Sequence, residues 1–361
     1  MPKRPPPPRV ARAVLAARRL LLHAADRLVP PEVALFDHTV AFGRTRLLGA
    51  LAEHGVADAL AGGPATAAEL AGRLGLDADS LHRVLRALAV YGIVRLDRRG
   101  RFHLTAVGQP LRDDHPRSLR AWVRYLNLDS TQAAWAGVGD TVRTGEPSFP
   151  AVHGRSVWDH FAAHPEEERT FATAMRTFTE LDAAAMASAY PWPEQGTVCD
   201  VAGGVGTLLA GVLRERPRVL GVLVEAKGVL AEAEAYLDAA GVRDRVTLTE
   251  GNMFERLDAK ADVYVMKDIL HDWDDERCLA VLGATRRAMA PGARLVLVEA
   301  LQERNRVEPI ASLVDVHMLT QTDGGRQRSV AELHELMRAS ELRPGEVRRT
   351  AGPALVEGIA V

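Results

Sequence analysis

Residues able to do chemistry gather in a few short stretches. The run Asp200-Val-Ala-Gly-Gly-Val-Gly206 closes a stretch of strand character and opens a helix. Gly203, Gly204 and Gly206 let the backbone turn tightly and come close to a ligand. The helix that follows offers free N–H groups to an anionic group. A glycine-rich turn by itself also serves as a plain strand-to-helix connection. Its context sharpens it: Glu225 lies 19 residues beyond Gly206, at the end of the next strand-like run. A carboxylate there accepts hydrogen bonds from ribose hydroxyls. The full Gly-x-Gly-x-x-Gly spacing of dinucleotide sites is absent, which favours an adenosine ligand without a pyrophosphate.

His271 stands in Leu270-His-Asp-Trp273, just past the run Asp262-Val-Tyr-Val-Met266. A lone histidine is more often structural than reactive. At the carboxyl end of a strand, beside the presumed nucleoside site, it is placed for proton transfer. Phenols ionise near ~10 and imidazole near ~6.5, so a neutral histidine can take a phenolic proton as the oxygen attacks. The 12 histidines are scattered and the acids 272–275 fall at a helix start, so no metal site is expected.

These residues need a scaffold. Strand-like runs at Thr197–Val201, Val219–Val224, Val246–Thr249, Asp262–Met266 and Arg294–Val298 alternate with helical ones. That alternation predicts a parallel, doubly wound α/β sheet, with ligands at the carboxyl ends of its strands. Residues 116–193 read as a long helical stretch carrying Trp122, Tyr125, Trp135, Trp158, Phe161, Phe171, Met175, Phe178 and Met186. Such residues at helical spacing are more often core, yet aromatic and methionine walls also suit a flat organic substrate.

Before them, Thr66-Ala-Ala-Glu69 is a capping box for a helix ended by Gly75. Asp79 or Ser80 is expected to cap the next helix, with Leu81, Val84, Leu85 and Leu88 on one face. Ile93–Leu96 and Arg101–Leu104 flank the turn 97–100. Helices followed by a hairpin form a winged-helix-like pattern. It serves as a DNA reader or, the preferred reading here, as a dimerisation scaffold.

Composition narrows the class. The 361 residues carry 45 Lys plus Arg and 47 Asp plus Glu, a formal net charge of -2, which argues against a dedicated nucleic-acid or anionic-membrane binder. Two cysteines, Cys199 and Cys278, build no disulfide framework, and a reducing cytoplasm is expected. Near the proline-rich start, Arg18 and Arg19 break the apolar run that a secretory signal needs. A disordered start and then a surface or dimer-interface helix are expected, with a basic membrane-surface helix as the minor alternative.

Several motifs together resemble a known family: Asp200–Gly206, Gly251-Asn-Met-Phe254, Asp262–Glu276, Asp315-Val-His-Met-Leu319 and Gly324-Gly-Arg-Gln-Arg328. They are similar to the class I S-adenosylmethionine-dependent O-methyltransferases of the plant caffeate type and their bacterial antibiotic-pathway relatives. The resemblance covers about residues 35–361, and Leu270–Trp273 is its most specific part. It implies a Rossmann-like catalytic domain at 116–361, with the helical stretch 116–193 lining the acceptor. It also implies a helical, winged-helix-like dimerisation domain at 1–115 and a homodimer.

The same resemblance implies S-adenosylmethionine as cofactor and S-adenosylhomocysteine as product. It assigns the cofactor to Asp200, Gly203, Gly204, Gly206, Glu225, Asn252, Met253, Phe254 and Lys267. A small, hydroxylated, aromatic acceptor falls to Trp135, Met175, Phe178, Asp272, Met318 and Thr322. His271 becomes the general base, flanked by Glu299 and by Gln327. Relatives carry Glu where this chain has Gln327, and an amide brings no charge to stabilise imidazolium. Asn252 likewise replaces the usual Asp. Gln327 keeps other activities open, such as a hydroxylase, a decarboxylase or a pericyclase. An N-methyltransferase and a winged-helix transcription regulator are the remaining alternatives.

Overall fold

The computed structural model describes residues 7–361; the expected disordered start falls on residues 1–6 and lies outside them. Two strands, β1 (Val94–Leu96) and β2 (Phe102–Leu104), pair antiparallel as a hairpin. Seven more build the main sheet: β3 (Gly196–Val201), β4 (Val219–Glu225), β5 (Val246–Glu250), β6 (Val263–Lys267), β7 (Arg294–Glu299), β8 (Leu342–Arg349) and β9 (Ala354–Ala360). Their order is β5-β4-β3-β6-β7-β9-β8. The first five run parallel, and β9 and β8 close the edge antiparallel. The order reverses between β3 and β6, and crevices at such a reversal are where doubly wound sheets hold ligands.

The central strands are largely apolar because both faces are covered. One face packs Tyr264, Met266, Leu295 and Leu297 under helices that include Cys278 and Leu282. The other packs Val198, Val263, Val265 and Val296 with Leu209 and Leu213. The hairpin β8–β9, which the alternation pattern did not reveal, sets Val356 and Ala360 into the first of these layers.

Contacts divide the chain into two compact units. The sheet lies in the one that holds residues 133–160 and 179–361; the other holds 13–132 and 161–178. In the second unit Leu51, Leu70, Leu85, Leu88 and Phe102 make a separate core. The Thr66 capping box forms as expected, with Glu69 N–H on Thr66 Oγ1 at 3.2 Å and Thr66 N–H on Glu69 Oε2 at 2.7 Å. The next helix, Ala78–Val90, is capped by Asp77, not by Asp79 or Ser80: the Ser80 N–H donates to Asp77 Oδ1 at 2.8 Å. The cap thus sits one turn-start earlier, where Asp77 still has extended backbone. Among the described residues, no helix is long and apolar enough to cross a membrane.

Candidate active site

The carboxyl ends of β3 and β4 carry the first group. Asp200 ends up 1% exposed, and neither of its oxygens makes a close, well-aligned hydrogen bond among the described residues. Burial and the nearby Glu225 charge push its pKa up to about 7, opposed by the Leu209 N–H and Lys267. Gly203 is needed here because a Cβ on it would stand 2.3 Å from the Asp200 carboxyl. Glu225 Oε2 accepts from the Gly204 N–H at 2.9 Å, and Oε1 accepts from the Ala226 N–H at 2.8 Å. Burial raises its pKa as well. A buried acid short of partners and a half-buried one face a glycine turn, so the donor set calls for a ligand with hydroxyls or a cation. A nucleoside joined to an amino acid fits those demands.

Met253 and Phe254 are half-buried against the core below β5, and Phe254 meets Trp273 edge-on at 5.0 Å. Trp158 stacks on the same indole at 5.5 Å. Asn252 is exposed, and its side chain is tied to Glu255 and to the Phe254 N–H. Lys267 ends β6 and pairs with Asp268, a non-glycine residue held at φ 53°.

His271 sits four residues past β6 in a short 3₁₀ turn, Leu270–Asp272. Its Nδ1 is 3.2 Å from Glu299 Oε2 and 3.0 Å from Gln327 Nε2; its Nε2 is 3.4 Å from Asp272 Oδ1. Asp268 Oδ1 lies 4.0 Å from Nδ1. Asp268, His271 and Glu299 offer polar atoms within 4.8 Å of one another, a grouping that sequence spacing did not show. Lys267 already answers the Asp268 charge, and the Ile269 and Leu270 N–H groups answer Glu299. Burial by itself would lower the His271 pKa. The carboxylates of Asp272, Glu299 and Asp268 outweigh it and raise the value to about 10. Burial lifts Asp272 to about 7.

Of the expected acceptor residues, Trp135, Asp272, Met318 and Thr322 belong to the sheet-bearing unit, while Met175 and Phe178 belong to the other. Trp135 donates its indole N–H to His317 Nδ1 at 3.0 Å. Thr322 spends its hydroxyl on the Met318 carbonyl at 2.9 Å. Phe178 stacks on Trp122 at 5.2 Å. His317, Asp268, Asp275 and Arg328 lie within the motifs of the sequence, but no role was expected of them. His317 is 7% exposed, and burial pushes its pKa down to about 4. Arg328 is 3% exposed, one residue from Gln327. In a chain with four lysines among 45 basic residues, one more arginine carries no signal.

Comparison with known proteins agrees with this layout. A family model described as the O-methyltransferase domain matches residues 135–342, and one described as the O-methyltransferase dimerisation domain matches 36–112. O-demethylpuromycin-O-methyltransferase of Streptomyces alboniger is 38% identical over 291 residues, 79% of this chain and 77% of that protein. Aclacinomycin 10-hydroxylase RdmB of Streptomyces purpurascens is 33% identical, covering 82% and 81%. The solved structure of NcsB1, an O-methyltransferase from neocarzinostatin biosynthesis in complex with S-adenosyl-L-homocysteine and 1,4-dihydroxy-2-naphthoic acid, is 32% identical. Its TM-score is 0.76, over 88% of this chain and 96% of that one.

Proposed function

This chain belongs to the O-methyltransferase family, and from that premise we propose that it transfers a methyl group from S-adenosylmethionine to a hydroxyl of a small aromatic acceptor, with His271 as general base. The carrying observation is the imidazole fixed at the carboxyl end of β6, with Glu299 and Gln327 both on Nδ1. With Nδ1 held on that side, Nε2 is the nitrogen left to take a proton.

The cofactor, when bound, supplies an electrophilic methyl on a cationic sulfonium. The chain does the rest. Asp200 and Glu225 accept the hydroxyl and cationic donors, and Phe254 and Trp273 offer aromatic surface beside them. His271 Nε2 would take the hydroxyl proton as the acceptor oxygen attacks, so that the oxygen bears its negative charge when it meets the methyl donor. A base with a pKa near that of a phenol accepts the proton at little cost. Glu299 Oε2 lies 3.2 Å from Nδ1, placed to stabilise the imidazolium that forms. The histidine works only while neutral, and its raised value in the cofactor-free enzyme predicts kcat/KM that climbs with pH above neutrality.

We further assign residues 1–115 to dimerisation and 116–361 to catalysis, with the enzyme a homodimer. The match of 36–112 to a dimerisation domain supports this, as do the exposed Phe36 and Phe42 in that span. Sedimentation of the full chain at twice the monomer mass is expected; a monomer at micromolar concentration removes the assignment.

Hydroxylation is the second reading. It is favoured by Gln327, which leaves the histidine one charge short, and by the likeness to a named hydroxylase. Mass spectrometry of hydroxylated aromatic acceptors incubated with the enzyme and S-adenosylmethionine separates the two. A gain of one methyl is expected; a gain of one oxygen overturns methyl transfer.

A further inference from the structure

The turn that carries His271 is too short to hold itself. Three residues of 3₁₀ helix close few internal hydrogen bonds, and the preceding Asp268 is in a strained left-handed conformation. Its backbone is satisfied from outside. At its start, Glu299 Oε1 accepts from the Leu270 N–H at 2.9 Å and from the Ile269 N–H at 3.3 Å. At its end, Arg328 Nη1 donates to the Leu270 carbonyl at 2.6 Å and Nη2 donates to the Trp273 carbonyl at 2.7 Å. The same guanidinium holds Asp275 Oδ1 through Nε at 3.0 Å and Nη2 at 2.8 Å.

Arg328 is itself fixed. Its side chain is 2% exposed, and its carbonyl accepts from the Gln302 N–H at 3.1 Å. The neighbouring Gln327 reaches the imidazole from the same backbone, which Asp315 anchors by accepting the Gln327 N–H at 2.7 Å. Gly325 lets this segment lie against the turn: a Cβ there would stand 2.6 Å from the His271 carbonyl oxygen. Residues 327 and 328 thus hold the histidine in two ways, Gln327 by its ring and Arg328 by the backbone carbonyls on either side of it, those of Leu270 and Trp273.

We infer that Arg328 is a positioning residue for His271, and that its planar fork, spanning two carbonyls and one carboxylate, sets where the imidazole stands against Glu299. A lysine cannot reproduce this, since a single ammonium does not span three acceptors with that geometry. The inference rests on His271 being the base. Among the described residues, the charged and titratable groups about His271 include Asp268 and Asp272 from its own loop, Glu299 from β7 and His317 from the helix Pro309–Gln321, with the cations Lys267 behind Asp268 and Arg328 behind the turn. Of these, Glu299 gains or loses most from a shift of the turn, because it holds both the ring and the turn's N–H groups.

Arg328→Met and Arg328→Lys test this in the full-length enzyme. A displacement of the base by about 1 Å costs on the order of a hundredfold in rate. For Arg328→Met, kcat should fall ten- to hundredfold while the S-adenosylhomocysteine Kd stays within twofold. The acidic limb of kcat/KM should move to lower pH as the imidazole drifts from Glu299. Arg328→Lys should restore part of both. NMR titration of the His271 ring, read without turnover, should show its midpoint falling in the same order. Should Arg328→Met fail to fold, Asp275→Asn removes only the guanidinium's carboxylate partner and should shift the titration the same way by less. A titration midpoint and pH limb unmoved in Arg328→Lys and Asp275→Asn overturn the inference, whatever happens to melting temperature. A moved midpoint, with His271→Ala still fully active, upholds the positioning and overturns the base instead.

Discussion

The two halves of the crevice solve opposite problems. At the ends of β3 and β4 the chain leaves polar groups open: Asp200 is buried with no close, well-aligned hydrogen bond among the described residues, beside the glycine turn. At the ends of β6 and β7 the His271 ring is held by Glu299, Gln327 and Asp272, and its turn by Arg328. A buried carboxylate without a partner costs stability and is worth its cost only when a ligand arrives. A base that must act on a moving proton needs its geometry set in advance. Both halves store backbone strain at equivalent places, Ala202 at φ 53° after β3 and Asp268 at φ 53° after β6. The contrast predicts that variants in the first half change binding, and variants in the second change rate or its pH dependence.

The largest expected effect tests the gripped half. His271→Ala should lower kcat by ~10²–10⁴, the usual loss of a general base, with cofactor affinity nearly intact by calorimetry. A variant that binds cofactor more weakly but turns over normally would reverse the two roles. Next comes Glu225→Ala in the open half. A charge-assisted hydrogen bond contributes roughly 1.5–3 kcal/mol, so S-adenosylhomocysteine binding should weaken about ten- to hundredfold. Turnover at saturating cofactor should stay close to wild type, and calorimetry showing unchanged affinity would remove Glu225 from the site.

The open half was the more legible in the sequence, for a physical reason. A glycine turn between a strand and a helix, with an acid at the end of the next strand, is written in local spacing. Asp200, Gly203 and Glu225 could be placed from it without knowing any contact. The gripped half is assembled from three distant segments: 268–275, Glu299 and 327–328. His271 stood out by its place after a strand, and resemblance to a family supplied Glu299 and Gln327, but no role was read for Arg328. The same limit hid the hairpin β8–β9, whose edge strand β8 interleaves arginine and glutamate, and misplaced the Asp77 cap by two or three residues. The alternation of strand-like with helical runs found the five parallel strands because burial on both faces makes the central ones, β6 and β7 above all, largely apolar.

A smaller effect reads the cost of the open half directly. The Asp200 pKa of about 7 lies well above the ordinary carboxylate value of ~3.9 in an unfolded chain. Between those values the folded state holds a proton that the unfolded state has lost. Stability of the cofactor-free enzyme is therefore greatest below about pH 4 in this respect and falls as pH rises toward 7. Asp200→Asn removes the ionisation and keeps the shape. It should raise the melting temperature at pH 8 by a few degrees, flatten this part of its pH dependence, and weaken cofactor binding. An unchanged or lower melting temperature would mean that Asp200 is already satisfied without a ligand.

The finest test concerns the one uncharged member of the grip. Gln327 turns its Nε2 toward His271 Nδ1, while its Oε1 has no partner among the described residues. Nδ1 also faces the Glu299 carboxylate, which only an N–H can satisfy. A half-turn of the amide places Oε1 on that N–H and leaves both Gln327 and Glu299 accepting from it; hydrogen bonding favours this orientation once the ring carries a proton on Nδ1. Gln327 then orients the ring without adding charge. Gln327→Glu keeps the acceptor and adds a negative charge about 3 Å from the imidazole. Imidazolium gains, so the His271 pKa rises further, and the acidic limb of kcat/KM should move to higher pH. At neutral pH the variant should be slower, because less of the base is neutral; at the alkaline plateau it should equal or exceed wild type, because the base is stronger. A limb that moves to lower pH would show the new carboxyl taking the proton itself. An unmoved limb would show that the ring does not report on Nδ1 at all, and the grip would then be structural.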